Sequence, residues 1–297
     1  MKFFLFYIVA TLYSFKSFSF PPHHHRGGPP PHHFHGDYSE ESLPDSSVTI
    51  STDQHYRYIK SNGIPNHEPG DFPNNNNPNS IRAQEFSFKV PLNPTLANRP
   101  IKNGLSPFGI ALNGVLFDPA AAEFWNNDSN SGWNYDALSG ALDLGFDKQN
   151  AHVQPGGAYH YHGIPKALVS KSPKLAGYAA DGFPIYILYG EIDGKVQKLE
   201  SSYQLKQGTR PSGPGGKYDG TFVEDYEYVQ DSGDLDECNG LFGKTKEYPD
   251  STYYYVITEK FPNIPRCFSG TPDQSFSREA MHRGKRQHRR PPHHHRR

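Results

Sequence analysis

The chain has 297 residues and a formal net charge of −1, and only 34% of its residues are hydrophobic. This length allows one large domain or two small ones once terminal segments are set aside. No apolar run after the first residues approaches the roughly 18 needed to cross a bilayer, which excludes a membrane span. Aliphatic residues are scarce at both ends, whereas Tyr and Phe are frequent in the middle, so we expect a core rich in aromatic side chains.

The first 19 residues are typical of a secretory signal peptide. Lys2 supplies the positive start, and the apolar run that follows is too short for a transmembrane helix. Ser17 and Ser19 place small residues before a cleavage point after Ser19. A buried N-terminal helix is the alternative, but the pattern favours a secreted, extracellular protein.

Low-complexity segments flank the middle of the chain. Residues 20–45 are rich in His, Pro and Gly, and we expect a disordered arm that either chelates metal weakly or binds nothing. Residues 276–297 form a basic His/Arg tail that is also expected to be disordered. Outside the cell its partners would be acidic polymers or a mineral surface, and secretion argues against nucleic acid. Arg283 to Arg286 also fit a processing site at which the tail would be removed.

Residues 46–275 are predicted to form a single, mainly β domain with short helices. Alternation over Phe86–Val90 and the apolar run Tyr253–Thr258 indicate strands. Asn113-Gly114, between two apolar triplets, predicts a hairpin with a two-residue turn. Asp193-Gly194 predicts another hairpin.

A short helix is expected after Pro119, where Ala120–Trp125 would make one or two helical turns. Asn127 begins an Asn-Asp-Ser glycosylation sequon in a polar loop.

The chain contains two cysteines, Cys238 and Cys267. In an oxidising compartment an isolated pair most often forms a disulfide. The bond would close a loop of about 29 residues and contribute roughly 3 kcal/mol if unstrained. A metal–thiolate site is the alternative, and it would need further ligands nearby.

Residues 152–165, His-Val-Gln-Pro-Gly-Gly-Ala-Tyr-His-Tyr-His-Gly-Ile-Pro, hold the strongest candidate site. Of sixteen histidines, we expect only His152, His160 and His162 to lie in the folded segment. On a strand, the spacing of two puts His160 and His162 on one face and the two tyrosines on the other. The turn at Pro155-Gly156-Gly157 would let His152 fold back beside them.

Three imidazoles so placed predict a site for a divalent metal such as Zn²⁺, Cu²⁺ or Ca²⁺. A carboxylate could complete the coordination sphere or orient an imidazole. Asp181 is the preferred candidate, and the others are Asp118, Asp236 and Glu237. A purely structural role is the alternative, in which the tyrosines pack in the core and the histidines hydrogen-bond to carboxylates.

These residues resemble the YHYH domain family, which is named for Tyr159-His160-Tyr161-His162. Five further blocks are similar to the family in the same order, so that the resemblance spans roughly residues 84–272. They are 109–123, 132–138, 181–186, 235–240 and 261–272. One departure is Ile187-Leu188, where the family commonly has Gly-Pro. The resemblance implies a secreted, domain-sized unit and supplies no reaction.

Two functions remain open from the sequence. The first is a non-enzymatic extracellular matrix protein, for example of a mineralised matrix such as shell, in which a metal-binding domain carries adhesive arms. The second is a secreted metalloenzyme with His152, His160 and His162 as ligands and an acidic residue as base. The biased tails favour the first, and nothing resembles a serine or cysteine nucleophile constellation.

Overall fold

The computed structural model describes residues 42–281. The predicted signal peptide, most of the His-rich arm and most of the basic tail lie outside the described residues. In chain order the strands are β1 (Val48–Thr52), β2 (Tyr56–Ser61), β3 (Phe86–Pro91), β4 (Leu96–Lys102), β5 (Gly109–Ala111), β6 (Leu116–Phe117), β7 (Ala151–Val153), β8 (Tyr159–Tyr161), β9 (Leu175–Ala179), β10 (Pro184–Ile187), β11 (Tyr189–Ile192), β12 (Lys195–Lys198), β13 (Tyr203–Leu205), β14 (Tyr226–Tyr228), β15 (Gly240–Gly243), β16 (Thr252–Ile257) and β17 (Cys267–Gly270).

Helical structure is limited to single turns. The 3₁₀ turns are Trp125–Asn127, Lys166–Leu168, Val223–Asp225 and Gln274–Phe276, and a further helical turn spans 278–281. The prediction of a mainly β fold with short helices is therefore confirmed. No helix among residues 42–281 has both the length and the apolar character needed to cross a membrane.

An eight-stranded mixed sheet forms the centre of the domain, in the order β15-β16-β10-β9-β5-β6-β8-β7. Two of its pairings are parallel, β10 with β16 and β6 with β8. A three-stranded sheet, β1-β2-β3, and three two-stranded sheets, β11-β12, β13-β14 and β17-β4, complete the fold. The parallel pairing of β6 with β8 brings residues about 116–118 beside the histidine motif.

Aromatic side chains fill the core, as the composition predicts. Phe108 stacks on Phe268 with ring centroids 4.9 Å apart, and Phe88 stacks on Phe276 at 4.2 Å. The largest side chains with almost no exposure are mostly aromatic: Tyr159, Tyr161, Tyr186, Tyr254, Tyr255, Phe88, Phe108, Phe117 and Phe276. Packing continues past residue 275, because Phe276 is part of this core.

The two predicted hairpins form, with one difference in turn length. Asp193 and Gly194 make a two-residue turn with positive φ at both positions, which suits the twist of the flanking strands. Between β5 and β6, however, Ala111 N–H donates to the carbonyl of Val115, so the loop has three residues. Gly114 supplies the left-handed position at φ 80° that a three-residue hairpin requires.

The helix predicted over Ala120–Trp125 is wrong. Ala120 and Ala121 are buried in chain without regular secondary structure, and the helical turn begins only at Trp125. Asp118 accepts a hydrogen bond from the backbone N–H of Ala120, a local turn that competes with helical bonding.

The disulfide prediction is confirmed, since Cys238 and Cys267 are bonded and join the start of β15 to β17.

Candidate metal centre

Two neighbouring strands at one edge of the large sheet carry the histidines. His152 on β7 lies directly opposite His160 on β8 in the antiparallel register, as the predicted fold-back requires. The connecting turn needs glycine, because Gly157 has φ 84° and a Cβ there would approach Cβ of Arg82 within 2.6 Å. His162 follows β8 and is held by its backbone N–H, which donates to the carbonyl of Asn150.

The three imidazoles converge through the same ring atom. Nε2 of His162 lies 2.8 Å from Nε2 of His160 and 3.1 Å from Nε2 of His152. Among residues 42–281, these three form the group of side chains that could hold a metal ion, with ligand atoms all within 4.8 Å of one another. The structure therefore brings together the three predicted ligands.

The outer ring nitrogens fix the tautomer of two imidazoles. Nδ1 of His152 lies 2.9 Å from the carbonyl oxygen of Leu144, and Nδ1 of His160 lies 3.2 Å from that of Ala158. A carbonyl can only accept, so each Nδ1 carries the proton and each Nε2 presents a lone pair to the cluster. Nδ1 of His162 is buried without a hydrogen-bond partner. The three convergent Nε2 atoms therefore share at most one proton, and a cation between them would satisfy the remaining lone pairs.

Burial keeps these imidazoles neutral. It lowers the pKa of His152 and of His160 to about 4, and the pKa of His162 well below its ordinary value. Repulsion from protonated His160 lowers the pKa of the other two further. Metal binding requires a neutral imidazole, so at neutral pH the site loses no proton when an ion enters.

The spacing is close to that of a metal centre. With metal–nitrogen distances of about 2.0–2.1 Å, two nitrogens of a tetrahedral site lie roughly 3.3 Å apart. Outward rotation of the rings would open the two short separations, 2.8 and 3.1 Å, to this value, while the third pair lies within the 4.8 Å that bounds the group. The aromatic ring of Phe146 packs beside the cluster, 4.7 Å from the ring of His152 and 5.2 Å from that of His162. Nothing in the sequence singled out Phe146.

One side of the cluster faces a cavity of about 250 Å³ whose walls include Asp118, Glu123, Gln154 and Arg278. Asp118 is 2% exposed and accepts hydrogen bonds from Gln154 Nε2 at 3.4 Å and from the backbone N–H of Ala120 at 3.2 Å. Burial raises the pKa of Asp118 to about 6. The pKa of this carboxyl group is therefore closer to neutral pH than that of an ordinary aspartate, beside a site with three possible metal ligands.

The tyrosines of the motif occupy the opposite face of β8, as predicted. The Tyr159 hydroxyl donates a hydrogen bond to Asp147 Oδ2 at 2.6 Å. The Tyr161 hydroxyl accepts from Asn113 Nδ2 at 2.9 Å and lies 2.7 Å from Nε2 of His67.

His67 therefore lies in the folded segment, and the expectation that only three histidines do so is wrong. His55 also lies within the described domain, but its side chain is exposed.

The other predicted site residues lie apart from the cluster. Asp181 accepts hydrogen bonds from the Tyr255 hydroxyl at 2.5 Å and from the backbone N–H of Gly270 at 2.9 Å. Burial raises its pKa to about 6, but within the described part of the chain it does not belong to the group of clustered ligand atoms. Asp236 instead accepts from Tyr253. Asn127, the residue of the sequon, is exposed on a 3₁₀ turn.

A mainly β domain with three convergent histidines at one edge of its main sheet, two of them buried and one half-buried, defines a candidate metal-binding protein. The chain belongs to the YHYH family, because the family model described as YHYH protein matches residues 87–270. The matched region contains all three histidines, Asp118 and both cysteines. Comparison with curated proteins and with solved structures found no significant match.

Proposed function

We propose that this protein is a secreted extracellular protein whose YHYH domain binds one divalent transition-metal ion through His152, His160 and His162. The observation that carries the proposal is the convergence of three neutral Nε2 atoms that share at most one proton. An all-imidazole donor set suits Zn²⁺ or Cu²⁺. Ca²⁺ takes six to eight oxygen ligands, so it is the least suited of the three ions considered.

Metal stoichiometry tests this proposal in the full-length chain. Protein loaded with Zn²⁺ and dialysed against a weak chelator should retain one ion per chain. The double variant His160→Ala, His162→Ala should lose that ion. A control with the tail histidines at 23–25 and 293–295 replaced by alanine should keep it, because flexible imidazoles bind weakly without fixed geometry. Equal metal content in wild type and double variant would refute the site.

We further propose that the flanking segments retain the protein in an acidic or mineralised extracellular matrix. The basic composition of residues 276–297 supports this, because such a tail attracts anionic polymers and mineral surfaces. The disulfide between Cys238 and Cys267 is compatible with an oxidising compartment. Exposure of Asn127 leaves the sequon accessible to glycosylation.

Binding to immobilised acidic polysaccharide and to calcium carbonate tests the matrix proposal. Replacement of the tail arginines by glutamine should weaken the binding and its salt dependence. In the control variant, Arg82 and Arg99 of the described domain are replaced by glutamine instead. This variant should bind as wild type does. Undiminished binding after neutralisation of the tail would contradict the adhesive role.

A secreted metalloenzyme is the second candidate, favoured by the cavity beside the cluster. A bound Zn²⁺ would lower the pKa of a water molecule at its open position. Asp118, with its pKa raised to about 6 by burial, is suited to accept the released proton. The variant Asp118→Asn should keep the metal and lose any hydrolysis of activated esters. The variant Asp181→Asn should keep both the metal and the hydrolysis. No ester hydrolysis above that of the metal-free protein would remove the support for this candidate.

A further inference from the structure

We propose that the cavity beside the histidine cluster is a binding site for a small oxyanion, with Arg278 as the cationic anchor at its exposed end. The class includes carboxylates and tetrahedral oxyanions such as sulfate. The inference rests on the proposed metal centre, which would lie at the buried end of the same cavity.

Cavity size limits the ligand. Its volume of about 250 Å³ is below the roughly 300–1,000 Å³ typical of pockets for drug-sized molecules. His160 and His162 are 2% and 4% exposed at the buried end, whereas Arg278 is an exposed residue. The cavity therefore admits a ligand of a few heavy atoms, and its lining includes both the histidines and Arg278.

The position of Arg278 suits recognition of an anion. Its Nε donates to the carbonyl of Leu105 at 2.6 Å, which restrains the guanidinium group, and Arg278 is one of the residues that line the cavity. Within residues 42–281, its two terminal nitrogens make no hydrogen bond or ion pair. The end of a guanidinium group presents two parallel N–H donors, a geometry that matches the oxygens of a carboxylate or a tetrahedral oxyanion.

The charges in the cavity make anion binding dependent on the metal. Its walls carry one guanidinium group, Arg278, and two carboxylates, Asp118 and Glu123. With both carboxylates ionised, the formal sum is −1 without a metal and +1 with a divalent ion. An oxyanion is therefore repelled by the metal-free cavity and attracted to the loaded one.

Cobalt spectroscopy on the full-length chain tests this inference. Co²⁺ replaces Zn²⁺ as a coloured probe, and acetate and sulfate are titrated separately while the visible absorption is recorded. Wild type should show saturable spectral changes with at least one anion, and the better ligand identifies the class. Arg278→Gln should weaken anion binding about tenfold or more while Co²⁺ affinity stays the same. The control Arg99→Gln alters an exposed arginine at a different cavity and should behave as wild type.

The possible failures can be told apart. If Co²⁺ does not bind through the three histidines, the metal proposal fails and the oxyanion site fails with it. If Co²⁺ binds but neither anion changes the spectrum, only the oxyanion site is refuted. Equal anion affinity in wild type and Arg278→Gln would overturn the role of the arginine and hence the site as proposed.

Discussion

The Nε2 atoms of His160 and His162 lie 2.8 Å apart, although burial lowers the pKa of both imidazoles. His152 brings a third Nε2 to within 3.1 Å of His162. Protonation would place positive charge in a buried cluster, and the neutral cluster has at most one Nε2 proton for three convergent Nε2 atoms. A metal ion converts this unfavourable arrangement into a coordination site, so metal binding and stability should be linked.

Zinc should stabilise the folded protein. Because the unfolded chain lacks the three-histidine geometry, an ion at 100 times its dissociation constant should add about 2.7 kcal/mol to the free energy of unfolding. The variant His160→Gln should lose most of this gain. Thermal and urea unfolding with Zn²⁺ and with a chelator measure the effect.

The matched control for this prediction is His55→Gln, which alters an exposed histidine outside the cluster. It should keep the full stabilisation by Zn²⁺. Equal stabilisation of wild type and His160→Gln would mean that the ion acts at another site, such as the tails.

Metal-free protein should become less stable through its histidines as the pH falls. The pKa of His152 is about 4 in the folded state and near 6.5 in the unfolded state, so between these values the unfolded chain binds more protons. Stability from this residue is present above pH 6.5 and is lost towards pH 4. From pH 7 to pH 5 the loss amounts to roughly 2 kcal/mol for such a histidine.

Buried carboxyl groups act in the opposite sense over this range. The pKa values of Asp118 and Asp181 are raised to about 6, so these groups favour the folded state on acidification. The histidine contribution is therefore read as a difference between wild type and His152→Gln. Between pH 7 and pH 5 in chelator, wild type should lose roughly 2 kcal/mol more than the variant. Parallel pH profiles would contradict the burial of a neutral His152.

The candidate ligands can be predicted from the sequence because their placement follows from local geometry. The spacing of two between His160 and His162 fixes a common face, and a glycine turn brings back His152. The carboxylate beside the histidines cannot be selected from the sequence, because Asp118 reaches the cavity only through the parallel pairing of β6 with β8. Asp181 is equally buried, yet strand order places its carboxyl with Tyr255 instead.

The tyrosines of the motif should affect stability without affecting the metal. Tyr161→Phe removes a hydroxyl that bonds to Asn113 and His67 and should cost about 1–3 kcal/mol. Zinc content should be unchanged, because this side chain lies on the opposite face from the ligands. Tyr228→Phe, at an exposed tyrosine, is the control and should cost less than about 0.5 kcal/mol. Loss of zinc in Tyr161→Phe would contradict the separation of the two faces.

His67 illustrates a contact that the sequence did not reveal. It is 94 residues from Tyr161 and lies in a Gly/Pro-rich loop without periodicity. Local patterns specify which face a strand presents, but they do not specify which loop covers that face. The same limit applies to Phe146 beside the histidine rings.

The disulfide should contribute to stability and leave the metal centre intact. It links residues separated by 29 positions, and the double variant Cys238→Ala, Cys267→Ala should lose roughly 3 kcal/mol. Cys238 is next to β15, at the opposite edge of the large sheet from β7. Urea unfolding and zinc content of the variant measure the two effects. A folded variant without zinc would show that the two edges are coupled.

The coordination of the bound ion tests the central claim most directly. Zinc K-edge X-ray absorption on the full-length protein, loaded to one ion per chain, reports the number and distance of its imidazole ligands. We predict three imidazole nitrogens at about 2.0–2.1 Å, with one oxygen ligand completing the sphere. A spectrum with fewer than three imidazoles, or one unchanged in the His160→Ala, His162→Ala variant, would contradict a metal centre formed by His152, His160 and His162.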